Sequence, residues 1–513
     1  MRSSPPRTPR RSVLTFGVTA LFKATWFAFV IATPILGAWT ASSLAAYKNG
    51  PVALAAASGV LLFPGLPLLW EAWASFRRRR RGVTARRFLT FVDRLILRTL
   101  FLNLLFLGVL LGTRPEAGFA ALSTRGDWML DGRAGRGVDT ARHWIFRAAD
   151  RLEWLYLAAH DNPFAKMSQN PLPVGSTPPP PVPVPFAPTP SPSAPVASST
   201  PAASASPPPR KPAGTDDAPA AEDIPWPVPA TLHPAVVSIP ASAEKSIESV
   251  AGYIADQDTT EPGRLKAAHD WVADRIAYDV ASYRAHRYPP QDAETVFTTR
   301  TGVCAGYASL FAALATSLGF EVVTVGGDAR TEGMDETGEG HAWNAVRVRN
   351  SYVLVDTTWD SGTVSGMTFT KHYQTSYYET PPAVFASDHF PSEPRWQLRT
   401  DPISRGDFFR QPMMTPAFYA EHRELLSPTR SQVTVHGPLE ILLRTPPSLF
   451  TLADWGRSGD ENAERCTVVR GETTKVTCAF PPGGSYKVKI YSNTAQSGLY
   501  HYIGEVLANR EPE

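Results

Sequence analysis

Cysteine, net charge and clustered metal ligands are all scarce in this sequence, and each shortage excludes something. Only three of the 513 residues are cysteines, so at least one thiol has no disulfide partner within the chain. The formal net charge is only +3, which gives no argument for a nucleic-acid partner. A metal site on Cys304, His341 and Asp356 would be short of ligands, because His372 and His389 lie far along the chain. We therefore expect no nucleic acid, no metal and no cofactor.

The N-terminal region, by contrast, is rich in apolar segments flanked by basic runs. Three segments approach the roughly 20 residues that a spanning helix needs: Ala24–Ala46, Pro51–Trp70 and Leu95–Thr113. Arg98 lies near one end of the third, where its head group could reach the interface; an interfacial helix is the alternative there. Basic residues in the tail at 1–12 and in the loop Arg77–Arg87 favour the cytoplasmic side. The sequence predicts a multi-pass cell-membrane protein that contacts lipid, with a cytoplasmic N-terminus and everything after Thr113 outside, periplasmic or extracellular.

Two different segments separate the membrane region from the next globular sequence. Apolar residues at helical spacing from Val138 to Leu155 predict an amphipathic helix, which either lies on the membrane or packs on a neighbour. Residues 170–230 hold 21 of the 49 prolines and predict a disordered linker. We expect this linker to act as a spacer that holds the following domain away from the bilayer.

Helical patterns precede strand patterns in the rest of the chain. A buried helix from Cys304 to Leu318 is followed by the short strands EVVTVGG, AWNAVRV and SYVLVD, which is an α+β arrangement. From Arg430 onward, short alternating runs separated by turn residues indicate an all-β sandwich. The chain is thus multi-domain, with a basic tail, a helical transmembrane region, a juxtamembrane helix, a Pro-rich linker, an α+β domain and a β-domain: 1–12, 13–113, 114–169, 170–230, 231–405 and 406–513.

Cys304, His341 and Asp356 stand in the order and in the elements that a thiol-based catalytic triad requires. Cys304 begins a helix, whose first turn stabilises a thiolate through its unpaired N–H groups and offers an oxyanion donor. If Arg349–Asn350 is a two-residue turn, His341 pairs with Thr358 and Asp356 lies diagonally within reach of its ring. A structural cysteine in the core and a lone surface histidine are the alternatives.

The neighbours of His341 and the two other cysteines extend this prediction. Trp343 and Asn344 flank His341 and are candidate substrate-binding residues, with Trp343 expected to cover the His341–Asp356 pair. Cys466 and Cys478 bracket TVVRGETTKVT symmetrically, so they face each other across a predicted hairpin. An oxidising compartment permits a disulfide there, worth roughly 3 kcal/mol for such a short loop.

These motifs resemble the transglutaminase-like superfamily, and specifically its branch typified by the kyphoscoliosis peptidase. The resemblance rests on IAYD after Trp271, GVCAGYASLF, HAWNAV, LVDTTWD, HFPSEPRWQL and FFRQPMMTPAFY, and extends from about Ser242 to the end of the sequence. It implies a papain-like core in which Cys304 is the nucleophile, His341 the base and Asp356 the orienting acid.

The resulting prediction is a membrane-anchored thiol enzyme for amide bonds of proteins or peptides in the cell envelope. A thioester on Cys304 would be resolved by water or by a second amine, giving hydrolysis or acyl transfer. A non-catalytic envelope scaffold that uses the same fold is the first alternative, and a metal-dependent hydrolase is the second.

Overall fold

A computed structural model describes residues 13–48, 50–82, 88–159, 162–164, 226–332, 337–457 and 463–512. The predicted basic tail at 1–12 lies outside these residues, as does almost all of the predicted linker at 170–230.

Three apolar helices form the N-terminal region, as predicted. They are α1 (Val13–Tyr47), a second helix made of α2 (Val52–Val60), a π-helical turn at Leu61–Gly65 and α3 (Leu66–Arg80), and α4 (Phe91–Thr113). Spans of 28, 29 and 23 residues within them are long and apolar enough to cross a membrane. The predicted apolar helices are therefore confirmed, and membrane association is the natural reading of their length and composition.

Arg98 is stabilised by an ion pair within the helices as well as by its position near the end of a span. It forms an ion pair with Glu71 of α3, which also receives Arg94 with 2.7 Å between Arg94 Nη2 and Glu71 Oε1. Glu71 is only 4% exposed. Charged residues in apolar helices are tolerated when they pair with one another, and this pairing explains how the third segment accommodates its arginine.

The predicted single juxtamembrane helix is wrong in its extent. The structure has α5 (Pro115–Arg125), α6 (Arg136–Asp150) and α7 (Glu153–Ala159), with the chain turning at Arg151 and Leu152. Most of α5 is buried, whereas only Ala149 is buried on α6. The amphipathic spacing correctly predicts α6, but periodicity does not reveal a break between two consecutive helices.

The juxtamembrane helices pack directly on the later domains, whereas the predicted spacer lies almost entirely outside the described residues. Arg430 forms an ion pair with Asp127, with 2.8 Å between Arg430 Nη2 and Asp127 Oδ1. Arg410 Nη1 donates to the Ser123 carbonyl at 2.7 Å. Ionic and backbone contacts of this kind, across about 300 residues of sequence, hold the globular part against the end of the membrane region.

Helices and two short strands form the first half of the α+β region. They are α8 (Pro234–Ser238), α9 (Ile247–Gln257), α10 (Glu261–Arg275), β1 (Ala277–Tyr278), α11 (Val280–Ala285), α12 (Ala293–Thr299), β2 (Thr301–Gly302) and α13 (Cys304–Ser317). Side-chain caps begin most of these helices, with Ser246, Thr260 and Asp292 each accepting from the first turn. Leu310, Phe311 and Leu314 of α13 are fully buried in the same apolar cluster as Trp271.

A five-stranded antiparallel sheet follows, in the order β8-β5-β4-β3-β9. Its strands are β3 (Glu321–Ala329), β4 (Glu339–Val348), β5 (Ser351–Val355), β8 (Tyr378–Thr380) and β9 (His389–Pro391), and a separate hairpin is formed by β6 (Gly362–Ser365) and β7 (Thr368–Lys371). Val348 pairs with Ser351 and Asn344 with Val355, so Arg349–Asn350 is the predicted two-residue turn. The helices-then-sheet order confirms the α+β prediction.

The C-terminal region is rich in β-structure, as predicted. After α14 (Pro382–Phe385), α15 (Arg405–Arg410) and α16 (Pro416–Ala420), its strands are β10 (Met413–Met414), β11 (Glu424–Ser427), β12 (Gln432–Val435), β13 (Leu439–Arg444), β14 (Phe450–Arg457), β15 (Glu464–Arg465), β16 (Thr467–Val469), β17 (Thr474–Cys478), β18 (Gly484–Asn493) and β19 (His501–Arg510). They form two sheets, β10-β19-β18-β14-β15 with β12 beside β19, and β11-β13-β17-β16. Cys466 and Cys478 form the predicted disulfide across the β16–β17 hairpin.

Candidate active site

Cys304 is the first residue of α13, at the point where a short extended segment turns into the helix. Val303 caps the helix with extended backbone, and its N–H donates to Gln291 Oε1 at 2.9 Å. A Cβ at Gly306 would lie 2.5 Å from that same oxygen, so glycine leaves room for this clamp. The first N–H groups of a helix lack partners within the helix, and at Cys304 they can stabilise negative charge on sulfur or on a bound oxygen.

His341 lies on β4 and connects Cys304 to a carboxylate. Its Nε2 is 2.8 Å from Asp356 Oδ2, and the Cys304 side chain is close enough to act on the pKa of the ring. Burial lowers the pKa of His341, but Asp356 and the hydrogen bond with Cys304 raise it more, to about 9. The imidazole is therefore held as an imidazolium at neutral pH, the form that pairs with a thiolate.

Asp356 is held where the chain leaves β5. Its N–H donates to the Tyr377 carbonyl, and its Oδ1 accepts from the N–H groups of Thr358 at 2.8 Å and Trp359 at 3.3 Å. Burial raises the pKa of Asp356, but the histidines on Oδ2 lower it further, to well below its usual range. Asp356 thus stays ionised and fixes the ring of His341.

The structure brings the three predicted residues together, but β5 ends at Val355, so the predicted pairing of His341 with Thr358 does not form and Asp356 reaches His341 from the turn after the strand. Cys304 is 1% exposed, His341 7% and Asp356 1%. Their assignment as nucleophile, base and orienting acid stays a prediction at this point, because geometry alone does not report a reaction.

His389 is a fourth member of this group, and sequence reasoning set it aside as too distant. It begins β9, which pairs with β3 so that Ala329 lies opposite His389. Its Nε2 is 3.3 Å from Asp356 Oδ2, and its Nδ1 is 2.7 Å from Asp388 Oδ1. Tyr377 in turn donates to Asp388 Oδ2 at 2.7 Å. The HFP motif was visible in the sequence, but the pairing of β9 with β3 was not.

The aromatic residues beside His341 differ from the prediction in position. Trp343 is itself buried at 1% exposure, with its ring centroid 6.0 Å from that of His341 and 5.1 Å from that of His389. Trp359, which sequence reasoning did not single out, is only partly buried and lies 5.3 Å from His341 and 4.5 Å from His389. Trp359 therefore lies on the more accessible side of the histidines.

Asn344 is fully buried and ties two elements together. Its Nδ2 donates to the Ala308 carbonyl at 3.1 Å and to Thr324 Oγ1 at 3.3 Å, linking α13 to β3. This contact supports the approach of α13 to the sheet. The part in substrate binding that was predicted for Trp343 and Asn344 stays a prediction, and neither side chain is exposed here.

His341, Asp356 and His389 also raise the question of a metal ion. One ligand-type atom of each lies within 4.8 Å of the others, so the distances fit a cation. The same atoms already satisfy one another through two hydrogen bonds to Asp356 Oδ2. A carboxylate that is hydrogen-bonded to two imidazoles accounts for the arrangement, and removal of metal by a chelator serves as an experimental control.

Comparisons with known proteins agree with the motifs. Residues 248–357 match the model of the transglutaminase-like superfamily. The human kyphoscoliosis peptidase is 28% identical over 277 residues, 52% of this chain and 40% of that protein. The mouse protein of the same name is 31% identical over 253 residues, 47% of this chain and 37% of that protein. The chain therefore matches less than half the length of each of these relatives.

A solved structure described as a TGase also matches, but too loosely to carry an argument. It is 19% identical, covers 28% of this chain and 37% of its own, and has a TM-score of 0.19. The resemblance inferred from the motifs is nevertheless confirmed by the superfamily match and by the two kyphoscoliosis peptidases.

Proposed function

We propose that this chain, which carries a transglutaminase-like domain of the kyphoscoliosis-peptidase-like branch, is a membrane-anchored thiol enzyme acting on amide bonds of proteins or peptides. The observation that carries the proposal is the contact of His341 with Asp356 on one side and with Cys304, at the start of α13, on the other. A nucleophile, a base and an orienting group in hydrogen-bond reach are the parts that acyl transfer through a thioester requires.

The proposed reaction has two steps, acylation of Cys304 and release of the acyl group, and Cys304, His341 and Asp356 each have a defined role in both. The Cys304 thiolate attacks the amide carbonyl, and the backbone N–H groups of the first turn of α13 stabilise the oxyanion. His341 then protonates the departing amine, which leaves an S-acyl enzyme. Water or a second amine gives a proton to His341, attacks the thioester and regenerates the thiolate. Asp356 remains ionised and keeps the imidazole oriented throughout.

The packing of the helices and strands supports proposals for the core fold, the domain bounds and the substrate-binding residues. The packing of α13 against β4 supports a papain-like core, and the apolar cluster that the two C-terminal sheets share supports a sandwich. The catalytic unit is proposed to cover 231–405 and the β-domain 406–513. Trp343 and Asn344 are proposed as substrate-binding residues, as the sequence predicts.

The proposed location is the cell envelope, with the enzyme outside the membrane. Arg77–Arg80 end α3, at the opposite end of the second apolar helix from the α1–α2 connection. Val52 lies at that connection, and its N–H donates to Glu511 of the β-rich region. The arginine run and the globular part thus lie at opposite ends of the apolar helices, and the arginines favour the cytoplasm. The Cys466–Cys478 disulfide fits an oxidising compartment. The substrate would accordingly be a protein or peptide of the envelope.

The test is covalent labelling of the full-length protein in detergent with a thiol-reactive acyl probe. Wild type should be labelled at one site, and Cys304→Ala should abolish labelling while leaving the unfolding midpoint within a few degrees. Labelling in excess chelator serves as a control, because the proposed thiol chemistry survives metal removal. Loss of labelling with chelator would instead favour metal-dependent chemistry at His341, Asp356 and His389.

A non-catalytic scaffold is the second candidate, and the burial of Cys304 favours it. A thiol that is 1% exposed is closed to substrate in this conformation. Absence of labelling at every probe concentration, both in folded wild type and in folded variants that expose Cys304, would support the scaffold and sink the thiol enzyme.

A further inference from the structure

Three residues that precede the Pro-rich linker in the sequence lie against the candidate active site. Asn162, Pro163 and Phe164 follow the juxtamembrane helix α7 and contact β3, β4 and the start of α13, more than 100 residues later in the chain. Neither the membrane region nor the proposed chemistry needs a contact there. What this segment does is therefore a separate question.

Asn162 contacts β3, an interior strand of the five-stranded sheet, next to His341. Its Nδ2 donates to the Gly327 carbonyl at 2.6 Å and to Asp328 Oδ1 at 3.2 Å, and Gly327 pairs with His341 in the sheet. Its Oδ1 accepts from the Phe164 N–H at 2.8 Å, which turns the chain towards Cys304. A Cβ at Gly340 would lie 2.8 Å from Asn162 Oδ1, so the glycine leaves the space that Asn162 fills.

Phe164 fills an apolar pocket at the nucleophile. It is 5% exposed and packs in one cluster with Cys304 and its small neighbours, namely Val303, Ala305, Ala308 and Ala342. The Tyr288 ring lies 5.8 Å from the Phe164 ring, and Tyr278 and Tyr283 border the same cluster. The cluster around Phe164 thus combines small apolar residues with the rings of three tyrosines, a lining that suits an aromatic side chain.

A substrate must displace this segment to react. Cys304 is 1% exposed with Phe164 in place, and an amide carbonyl has to come within bonding distance of its sulfur. Asn162 presents an amide N–H to the Gly327 carbonyl and Phe164 presents its ring to the apolar cluster at Cys304, so a substrate that reached the sulfur would have to replace both contacts.

We propose that Asn162–Phe164 occupies the acyl-donor cleft in place of substrate, and that the Phe164 pocket is the subsite for an aromatic side chain of a peptide substrate. The proposal deepens the proposed function and rests on it. Segment and substrate compete for one pocket, so the resting enzyme is closed, and only a substrate with a ring of comparable size opens it efficiently.

The experiment compares labelling rates of Cys304 by two acyl probes that differ only in side chain, benzyl or carboxymethyl. Phe164→Ala should raise the rate with the benzyl probe about 10- to 100-fold, the factor that corresponds to losing a buried phenylalanine. The gain with the carboxymethyl probe should be several-fold smaller. Trp154→Ala, an exposed aromatic on α7 of the same N-terminal segment, is the matched control and should leave both rates unchanged.

Asn162→Ala provides a second variant that removes the anchor and keeps the ring, and it should also accelerate benzyl labelling. The peptide acetyl-Asn-Pro-Phe-amide should slow labelling of Phe164→Ala, whereas acetyl-Asn-Pro-Ala-amide should not. Wild-type and variant rates that agree within twofold in folded protein, with wild type labelled, overturn this inference and leave the thiol enzyme standing. Absence of labelling in wild type and in all variants overturns both, since then Cys304 is not a nucleophile.

Discussion

Two buried histidine–aspartate clusters lie side by side in the core, and they differ in what their ring nitrogens contact. In the candidate site, His341 binds Asp356 through Nε2 and has Cys304 as its other partner. In the second cluster, His269 lies between two carboxylates, with Nδ1 2.9 Å from Asp270 Oδ1 and Nε2 3.0 Å from Asp360 Oδ2.

The difference distinguishes the proposed catalytic site from a structural network. Both nitrogens of His269 are bound to carboxylates, and Lys266 and Tyr373 complete the bonding of Asp270. No ring nitrogen of His269 is left to activate a nucleophile. His341 gives one nitrogen to a carboxylate and the other to a thiol, so the same pair of residue types can move a proton there. Burial and charge alone therefore do not identify the site; the second nitrogen does.

The proposed difference between the two clusters is tested most directly by neutralising one aspartate in each. Asp356→Asn should lower the rate of Cys304 labelling about 10³- to 10⁴-fold, because the imidazole loses its charge partner and its tautomer control. Asp360→Asn is the matched variant and should leave that rate within about threefold, while lowering the free energy of unfolding by about 1–3 kcal/mol, since Asp360 accepts from His269 and Tyr377 N. Labelling rates and chemical denaturation measure both. Equal loss of labelling in the two folded variants would contradict the assignment.

His389 tests how far the candidate site extends. His389→Gln should reduce the labelling rate about 10- to 100-fold, the worth of one hydrogen bond to a charged group, because Asp356 loses its second imidazole. His269→Gln should leave the rate within a factor of a few and cost about 3–5 kcal/mol of stability, since two buried carboxylates lose their shared partner. A His389 variant with the wild-type rate would confine the site to three residues.

The smallest expected effect is a change in pH dependence. The pKa of His341 lies at about 9 in the folded protein, above its ordinary 6.5, so its charge stabilises the fold fully below pH 6.5. This stabilisation, and the labelling rate with it, should fall as the pH rises through about 9. Asp356→Asn should move that fall to lower pH, since the carboxylate raises the pKa; Asp360→Asn should not. Rate profiles from pH 6 to 10 would decide, and an upper limb unmoved by Asp356→Asn would count against the pairing.

What the sequence predicted was local, and what it missed was long-range. Cys304 at a helix start, the turn at Arg349–Asn350 and the disulfide between Cys466 and Cys478 all follow from neighbouring residues, and the structure has each of them. Strand β14 is harder to predict, because its residues alternate weakly and its partner β18 comes almost 30 residues later.

The same limit explains the residues missed around the site. His389 reaches Asp356 only because β9 pairs with β3, a register that no turn signals. Phe164 reaches Cys304 from before the Pro-rich segment, where composition suggested a spacer and hid the contact. Periodicity predicts which face of an element is buried, but it says nothing about which distant element will cover it.

The docking of the juxtamembrane helices has a consequence for proteolysis. The chain enters the 165–225 segment at Phe164, beside Cys304, and leaves it near Val228, whose carbonyl accepts from Thr375. Both ends are thus anchored on one body, and the segment is a loop in the topological sense. A protease that cuts within it would yield two fragments held together by contacts such as Asp127 with Arg430 and Glu153 with Arg405. The nicked chain should migrate as two bands in SDS and as a single particle in mild detergent, with its C-terminal half still bound to the half that carries the apolar helices.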